Sequence, residues 1–522
     1  MRKITGILTF LISACTGLVA QTADVTWSDP TPFSRQSYYS KIAEETKDAF
    51  YVLKTSVTGI SSNDILLEKY SKSDLSLETS FTIYTETMYA KTPGAKRPLD
   101  YDKLMMMPDG FVVFFTEFLL EAKTFTSYAQ KFDAQGQRVG ELQTLEVFTG
   151  NDKTVIGKYE FTPSPFGDGF ILCYSRPFIL YSDEYFRFKF YDYNLQEKWE
   201  KEFLFPFKGK EFEIRQIKAS VDSTVYMMIK VLEDDEKERE KKGNRNITYT
   251  YNMLSFTMDP ADTSGQFSSM PLTVGKKYIT DVSFGLNDHM EIACAGYFAD
   301  RKDMAISGAF YMVIESKSTK VRTSSTMDFS KEFLARFVDT KNPDRGVGMR
   351  DFELQDLQIR NDGTVYLIGE QVFGKTVCYG QPPKLKCNTE NYFNDIVVTR
   401  ISNEGKIEWT SNVPKRSFDE ENGFLLSYAY KIMDNKIVFI YNDSPKNMNT
   451  FNPLELKYVS TGGMVSMVAE VNNKGEVHRE LMHEDSDTKI LLRPRTYLQL
   501  GNELVIYGIK GNKQYWGKVR FY

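Results

Sequence analysis

The chain has 522 residues, with 65 Lys and Arg against 70 Asp and Glu and a formal net charge of −5. This mildly acidic balance, without any basic stripe, offers a polyanion nothing to hold, so nucleic acid is excluded as the expected partner. Aromatic residues make up 14% of the chain and helical periodicity is scarce, which points to an all-β fold.

Met1-Arg2-Lys3 followed by an apolar run over residues 4–20 reads as a secretory leader, a short basic head before a hydrophobic stretch too short to favour a spanning helix. Two processing routes fit. Leu18-Val19-Ala20 before Gln21 suits cleavage after Ala20, leaving a leader of 1–20 and a mature domain of 21–522. Ile12-Ser13-Ala14-Cys15 resembles a bacterial lipobox, in which Cys15 would be acylated and serve as a lipid anchor. The first route is favoured, because residues 16–20 continue the apolar run instead of opening a polar tether. Either route exports the chain, to the periplasm or outer membrane or, as the alternative, to the medium. No later stretch is long and apolar enough to form a transmembrane helix.

From Asp48 onward a polar turn followed by a β-rich run recurs, with turns marked by Asp48, Asp109, Asp168, Asp222, Asp288, Asp362, Asp434 and Asn502. The clearest copy is Asn361-Asp362-Gly363-Thr364-Val365-Tyr366. The copies lie roughly 55 to 75 residues apart, the signature of a repeat array. A second turn recurs out of phase, as Phe132-Asp133-Ala134-Gln135-Gly136, Tyr193-Asn194-Leu195-Gln196-Glu197, Ile401-Ser402-Asn403-Glu404-Gly405 and Val471-Asn472-Asn473-Lys474-Gly475. One period therefore reads as strand A, polar turn, strand B, variable loop, strand C, second turn, strand D.

This pattern resembles that of β-propeller repeat proteins, WD40-like in architecture, over nearly the whole mature chain. No Gly-His…Trp-Asp pair, kelch double glycine or Tyr-Trp-Thr-Asp tetrad accompanies it. The resemblance implies a single domain of eight four-stranded blades, with seven as the alternative if two repeats merge. The expected blades span about 34–84, 100–148, 155–207, 212–274, 278–329, 351–414, 422–483 and 488–522. The last repeat lacks a fourth strand while residues 24–28 stand isolated near the start, so this N-terminal strand is expected to complete the last blade and close the ring.

In such a blade the B–C loops and the D–A connections share one rim. Nearly every long insertion belongs to that set: 233–245, with a mixed charge run; 330–350, where Phe333, Leu334 and Phe337 have helical spacing; 372–392; and 442–452. Elaborated loops on a rigid scaffold are where binding resides. Cys378 and Cys387 bracket a stretch rich in Tyr, Pro and Lys, and in an exported chain a local disulfide is expected there; Cys173 and Cys294 read as buried free thiols. The candidate binding-face residues are Tyr379, Pro382, Pro383, Lys384, Lys386 and Tyr392, with Phe333 and Arg345 from the preceding insertion.

Catalytic signals are sparse. The histidines, His289, His478 and His483, fall in different repeats, and neither a Gly-x-Ser-x-Gly elbow nor a phosphate-cradling glycine loop occurs. Asp102, Glu213, Asp281 and Asp356 lie near the entry of four innermost strands, where they could ring the mouth of the central channel. Converging carboxylates would suit Ca²⁺ or acid/base glycoside chemistry, and the competing reading is solvated strand-start residues paired with cations such as Arg215 and Arg350. The expectation is a binding or scaffolding propeller without a cofactor, holding an envelope protein or glycan on its long-loop face. A hydrolase or lyase acting on a polysaccharide is the alternative.

Overall fold

The computed structural model describes residues 23–33, 39–55, 65–83, 99–120, 122–149, 157–175, 185–207, 211–233, 249–262, 265–300, 304–316, 320–337, 348–379, 386–420, 423–482 and 490–522. The leader with Cys15, Pro382, Pro383, Lys384, Arg345, His483 and the charge run beyond Glu233 lie outside them.

The chain forms eight antiparallel sheets, each built on four strands. Taken in order, the blades begin and end at Tyr39–Ile83, Asp100–Thr149, Lys158–Leu204, Phe212–Pro271, Tyr278–Asp328, Phe352–Val413, Tyr428–Leu481 and Leu491–Phe521, and Ala23–Trp27 joins the last. Strand A of each blade is innermost, and A strands touch those of neighbouring blades. Strand B lies between two neighbouring blades and is buried on both faces; Ile292–Ala299 is buried at every position. Such strands read as unbroken apolar runs. Strand D is outermost and half wet, as in Val321–Asp328, where part-buried and exposed positions alternate along most of its length.

The turn before each B strand is local chemistry. In the blade-six copy Gly363 adopts φ +81°, its N–H donates to Arg360 O at 2.9 Å, and the Thr364 N–H donates to Asp362 Oδ1 at 2.9 Å. Glycine takes that left-handed conformation without a Cβ clash.

Hydrophobic clusters fill the wedges between successive blades. A further one closes the circle, setting Phe50, Val52 and Tyr70 of blade one against Val505, Tyr507 and Trp516 of blade eight. Ala23–Trp27 pairs antiparallel with Lys513–Phe521, supplying the missing outer strand. Trp27 lies directly over Gly517, where any Cβ would meet its ring at 2.8 Å. A buried polar clasp lies beneath. Lys54 Nζ bridges Glu68 at 2.6 Å and donates to Gln514 Oε1 at 2.7 Å, and Gln514 Nε2 donates to Thr31 Oγ1 at 2.8 Å. The clasp thus ties the N-terminal segment, blade eight and blade one together.

Two long loops turn out to be ordered in an unexpected way. Residues 372–379 and 386–393 are paired strand, because Val372, Phe373, Thr376, Val377, Thr389 and Tyr392 favour the pleat over an irregular excursion. The blade-seven excursion continues past 452 to Met464 through three short 3-10 turns, Pro445–Asn447, Pro453–Glu455 and Thr461–Gly463. The 330–350 insertion opens with a helix at Lys331–Ala335, capped by Ser330, whose side chain accepts from the Phe333 N–H, and it buries Leu334.

Candidate functional site

Blades six and seven form the elaborated sector of the ring. Strands Val365–Tyr379 and Lys386–Ile401 of blade six run far past their sheet as a hairpin. At about 3.3 Å per residue the extension reaches roughly 26 Å. Cys378 and Cys387 face each other in register across it and are joined by a disulfide. The register slips at the hairpin's base, where Gln371 faces both Asn394 and Asp395. A bulge of this kind re-aims side chains, and here it leaves Asp395 with no exposed surface.

Charged groups root the hairpin. Lys415 and Glu370 are both fully buried and 2.8 Å apart, and Ser427 Oγ donates to Glu370 at 2.7 Å. Lys415 Nζ also donates to Phe393 O at 2.7 Å. Arg416 pairs with Asp395, and its N–H donates to Asp443 Oδ1 at 3.2 Å. Arg479 from blade seven donates to Pro414 O and Asn447 O, each at 2.7 Å. Burial pushes the Asp443 carboxyl up to about 6, against hydrogen bonds from Ser444, Asn447 and Arg416 and the charge of Lys415, all of which act to lower it. Buried charges persist only when paired in this way.

Above the root stands an aromatic face. Phe373 stacks on Tyr392 at 4.8 Å, Tyr392 stacks on Phe418 at 5.6 Å, and Tyr458 meets Tyr392 edge-on at 5.4 Å. The hydroxyls of Tyr379 and Tyr392 both donate to Glu390. Tyr379 is 53% exposed and Tyr458 48%, large values for rings held by so rigid a base. The structure therefore brings the Tyr379 and Tyr392 hydroxyls together at Glu390, and Lys386 lies in register opposite Tyr379 in the returning strand. Phe333 sits apart, in the wedge between blades five and six, packed on Phe329 at 5.1 Å and Phe337 at 5.4 Å.

Asp102, Glu213, Asp281 and Asp356 all lie on innermost strands, and most of them have structural partners. Arg215, a bulged residue, reaches Glu213 at 2.9 Å and Asp281 of the next blade at 3.3 Å. Asp281 also accepts from the Val282 and Leu354 N–H groups, each at 3.0 Å, so one carboxylate links three blades. Asp356 accepts from Leu357 N–H at 2.8 Å, from Gln358, and from the Tyr430 hydroxyl of blade seven. Asp102 differs. It touches solvent, yet the channel walls strip away much of its hydration and, with nearby Glu160, push its carboxyl up to about 6 against Lys103, Lys158 and Lys41. Among the described residues, no group of three or more His, Cys, Asp or Glu side chains could hold a metal ion.

The sequence reading missed Glu370, Lys415, Arg416, Asp395 and Asp443. The signal was Lys415-Arg416 just past Pro414 and the strand ending at Val413, but their partners come from three other strands. Among the described residues no helix is long and apolar enough to cross a membrane.

No family model matches the chain, and no curated protein matches it by sequence. Similar solved structures include the WD40 domain of SCAP from fission yeast, at 8% identity over 96% of this chain and 98% of that one, TM-score 0.37. The β-propeller domain of the Trilobed protease from Pyrococcus furiosus is 10% identical over 73% and 97%, TM-score 0.33. An endo-arabinase from Bacteroides thetaiotaomicron is 11% identical over 58% and 98%, TM-score 0.29. Likenesses this loose carry no argument about the site.

Proposed function

We propose that this chain is an exported binding or scaffolding module of the cell envelope that holds a protein or glycan partner on its long-loop face, with the blade-six hairpin as principal contact. One observation carries the reading: an exposed aromatic face, Tyr379 and Tyr458 beside Tyr392, stands on a base of fully buried ion pairs. Rigid aromatic contact area loses little entropy on binding, so affinity is not spent on ordering. The disulfide supports export, since such bonds persist in oxidising compartments.

Saturation binding of the mature protein to isolated envelopes tests the reading. Replacing Tyr379 and Tyr458 together by Ala is expected to weaken binding by about tenfold or more without lowering the melting temperature. Pre-treating the envelopes with protease or with glycosidase separates a protein partner from a glycan. Equal binding by the double variant would contradict the assignment to the hairpin. A second reading, hydrolysis of a polysaccharide, draws on Asp102, whose raised carboxyl beside Glu160 is a candidate proton donor in the channel. Turnover that Asp102→Asn abolishes would favour it.

A further inference from the structure

We infer that the outer edge of blade six is a second binding site, which takes an extended peptide segment of a partner protein by strand addition. The outermost strand, Ile407–Val413, is a sheet edge, and an edge strand presents backbone N–H and C=O groups with no partner in the sheet. Here that edge forms the floor of a groove of about 620 Å³, within the span of about 300–1,000 Å³ typical of ligand clefts.

Both walls are aromatic. On the blade-five side stands the helix Lys331–Ala335, presenting Phe333 with Arg336 just beyond it. On the blade-seven side stands Phe451, 50% exposed, its ring 4.7 Å from the buried Arg479 guanidinium. Trp409, Ser411 and Asn412 line the floor, and the Trp409 indole is fixed by donating to Asn473 O at 2.9 Å. In an added strand, alternate side chains would point to the Phe333 wall and to the Phe451 wall.

The occupant is argued from what the chain already does along the same edge. Past Pro414, residues Ser417–Asp419 take the outer position against Asn391–Phe393. Outside them Val459 bridges Ser417 in parallel, and the Phe418 N–H donates to Val459 O at 3.3 Å. The upper half of the edge is thus already augmented by the chain's own backbone, and the lower half, part-exposed at Trp409 and Thr410, runs on between two aromatic walls. A glycan could use the rings but has no use for a ladder of alternating donors and acceptors. This site lies on the outer wall of the ring, so it stands or falls independently of the hairpin.

The test is selection of linear dodecapeptides from a phage-displayed random library against the immobilised mature protein, followed by synthesis of the selected peptides. The inference expects binders that slow amide exchange in Ile407–Val413 and lose about tenfold in affinity on Phe333→Ala and on Phe451→Ala. Phe451 is half exposed, whereas Phe333 is part-buried against Phe329 and Phe337, so each variant's melting curve is recorded and binding is compared well below the lower midpoint. Recovery of no binder, or of binders indifferent to both variants, would overturn the inference. An oligosaccharide that quenches Trp409 fluorescence and is displaced by no selected peptide would overturn it in favour of a glycan cleft. Neither outcome bears on envelope binding through Tyr379 and Tyr458.

Discussion

Asp443 has no exposed surface, and its Oδ2 has no hydrogen-bond partner among the described residues. The charges that face it are Lys415 and the Arg416–Asp395 pair from blade six, with Tyr441 and Arg479 from its own blade. Its carboxyl titrates at about 6 rather than the ordinary 3.8, so the folded chain binds that proton more tightly than the unfolded chain. The sign follows directly. Stability contributed by this group grows as pH falls from about 6 towards about 4, and at neutral pH the ionised form costs up to about 3 kcal/mol. Asp102 titrates in the same window, which makes a comparison with Asp443→Asn the clean measurement. In denaturant unfolding the variant is expected to exceed the parent by about 1–3 kcal/mol near pH 7 and to match it near pH 4. Parallel pH profiles for the two would contradict this assignment. At this scale the sequence revealed what is local: Cys378 and Cys387 are close along the chain, and their pairing was readable from compartment and spacing. Asp443 and Arg416 meet across two blades, and no local pattern announces them.

The blade-six hairpin is an element whose rigidity comes from below. Lys415 and Glu370 sit at its base with no exposed surface, and each is the other's counter-charge. Lys415→Met would leave Glu370 buried and unpaired, a loss of about 3–5 kcal/mol. Adding Glu370→Leu removes the stranded charge and is expected to restore most of that loss, since well-packed apolar replacements of buried ion pairs are often neutral. Thermal melts of the single and double variants check this; a single variant as stable as the parent, or a double variant no better than the single, would contradict it. The hairpin itself was legible only as an insertion. Its Tyr, Pro and Lys content reads as loop, whereas the β-formers on both arms pair because the blade beneath supplies a register for them to continue. The helix Lys331–Ala335 was legible from the spacing of Phe333 and Leu334 with Phe337 just beyond it, since a buried stripe imposes that period on a helix.

Across the whole molecule, the ring organises everything else. Strands buried on both faces generate long apolar runs, polar turns punctuate them, and the repetition of that unit made the architecture readable without a family motif. Closure was readable too, because the last repeat lacks one strand and the N-terminus has one to spare. The sequence could not show the clasp of Lys54, Glu68 and Gln514, because Gln514 lies 460 residues from Lys54 and meets it only once the circle is complete. Nor could it show that three of the four channel-mouth candidates are held by hydrogen bonds or ion pairs, Asp281 across three blades, since pairing depends on which blades adjoin. The result is a stiff disc that is plain on its short-turn face and elaborated over blades six and seven. Its asymmetry is the basis of the proposed function.

That asymmetry can be measured directly by lysine crosslinking of the mature protein in intact envelopes, with mass spectrometry of the joined peptides. Lys375, Lys446 and Lys457 are exposed on the elaborated sector, and Lys47, Lys198, Lys406 and Lys474 are exposed at the short-turn face. Crosslinks concentrated at the first group, to one recurring partner, are the expected result. Crosslinks concentrated at the second group, or spread evenly over both, would contradict a long-loop binding face.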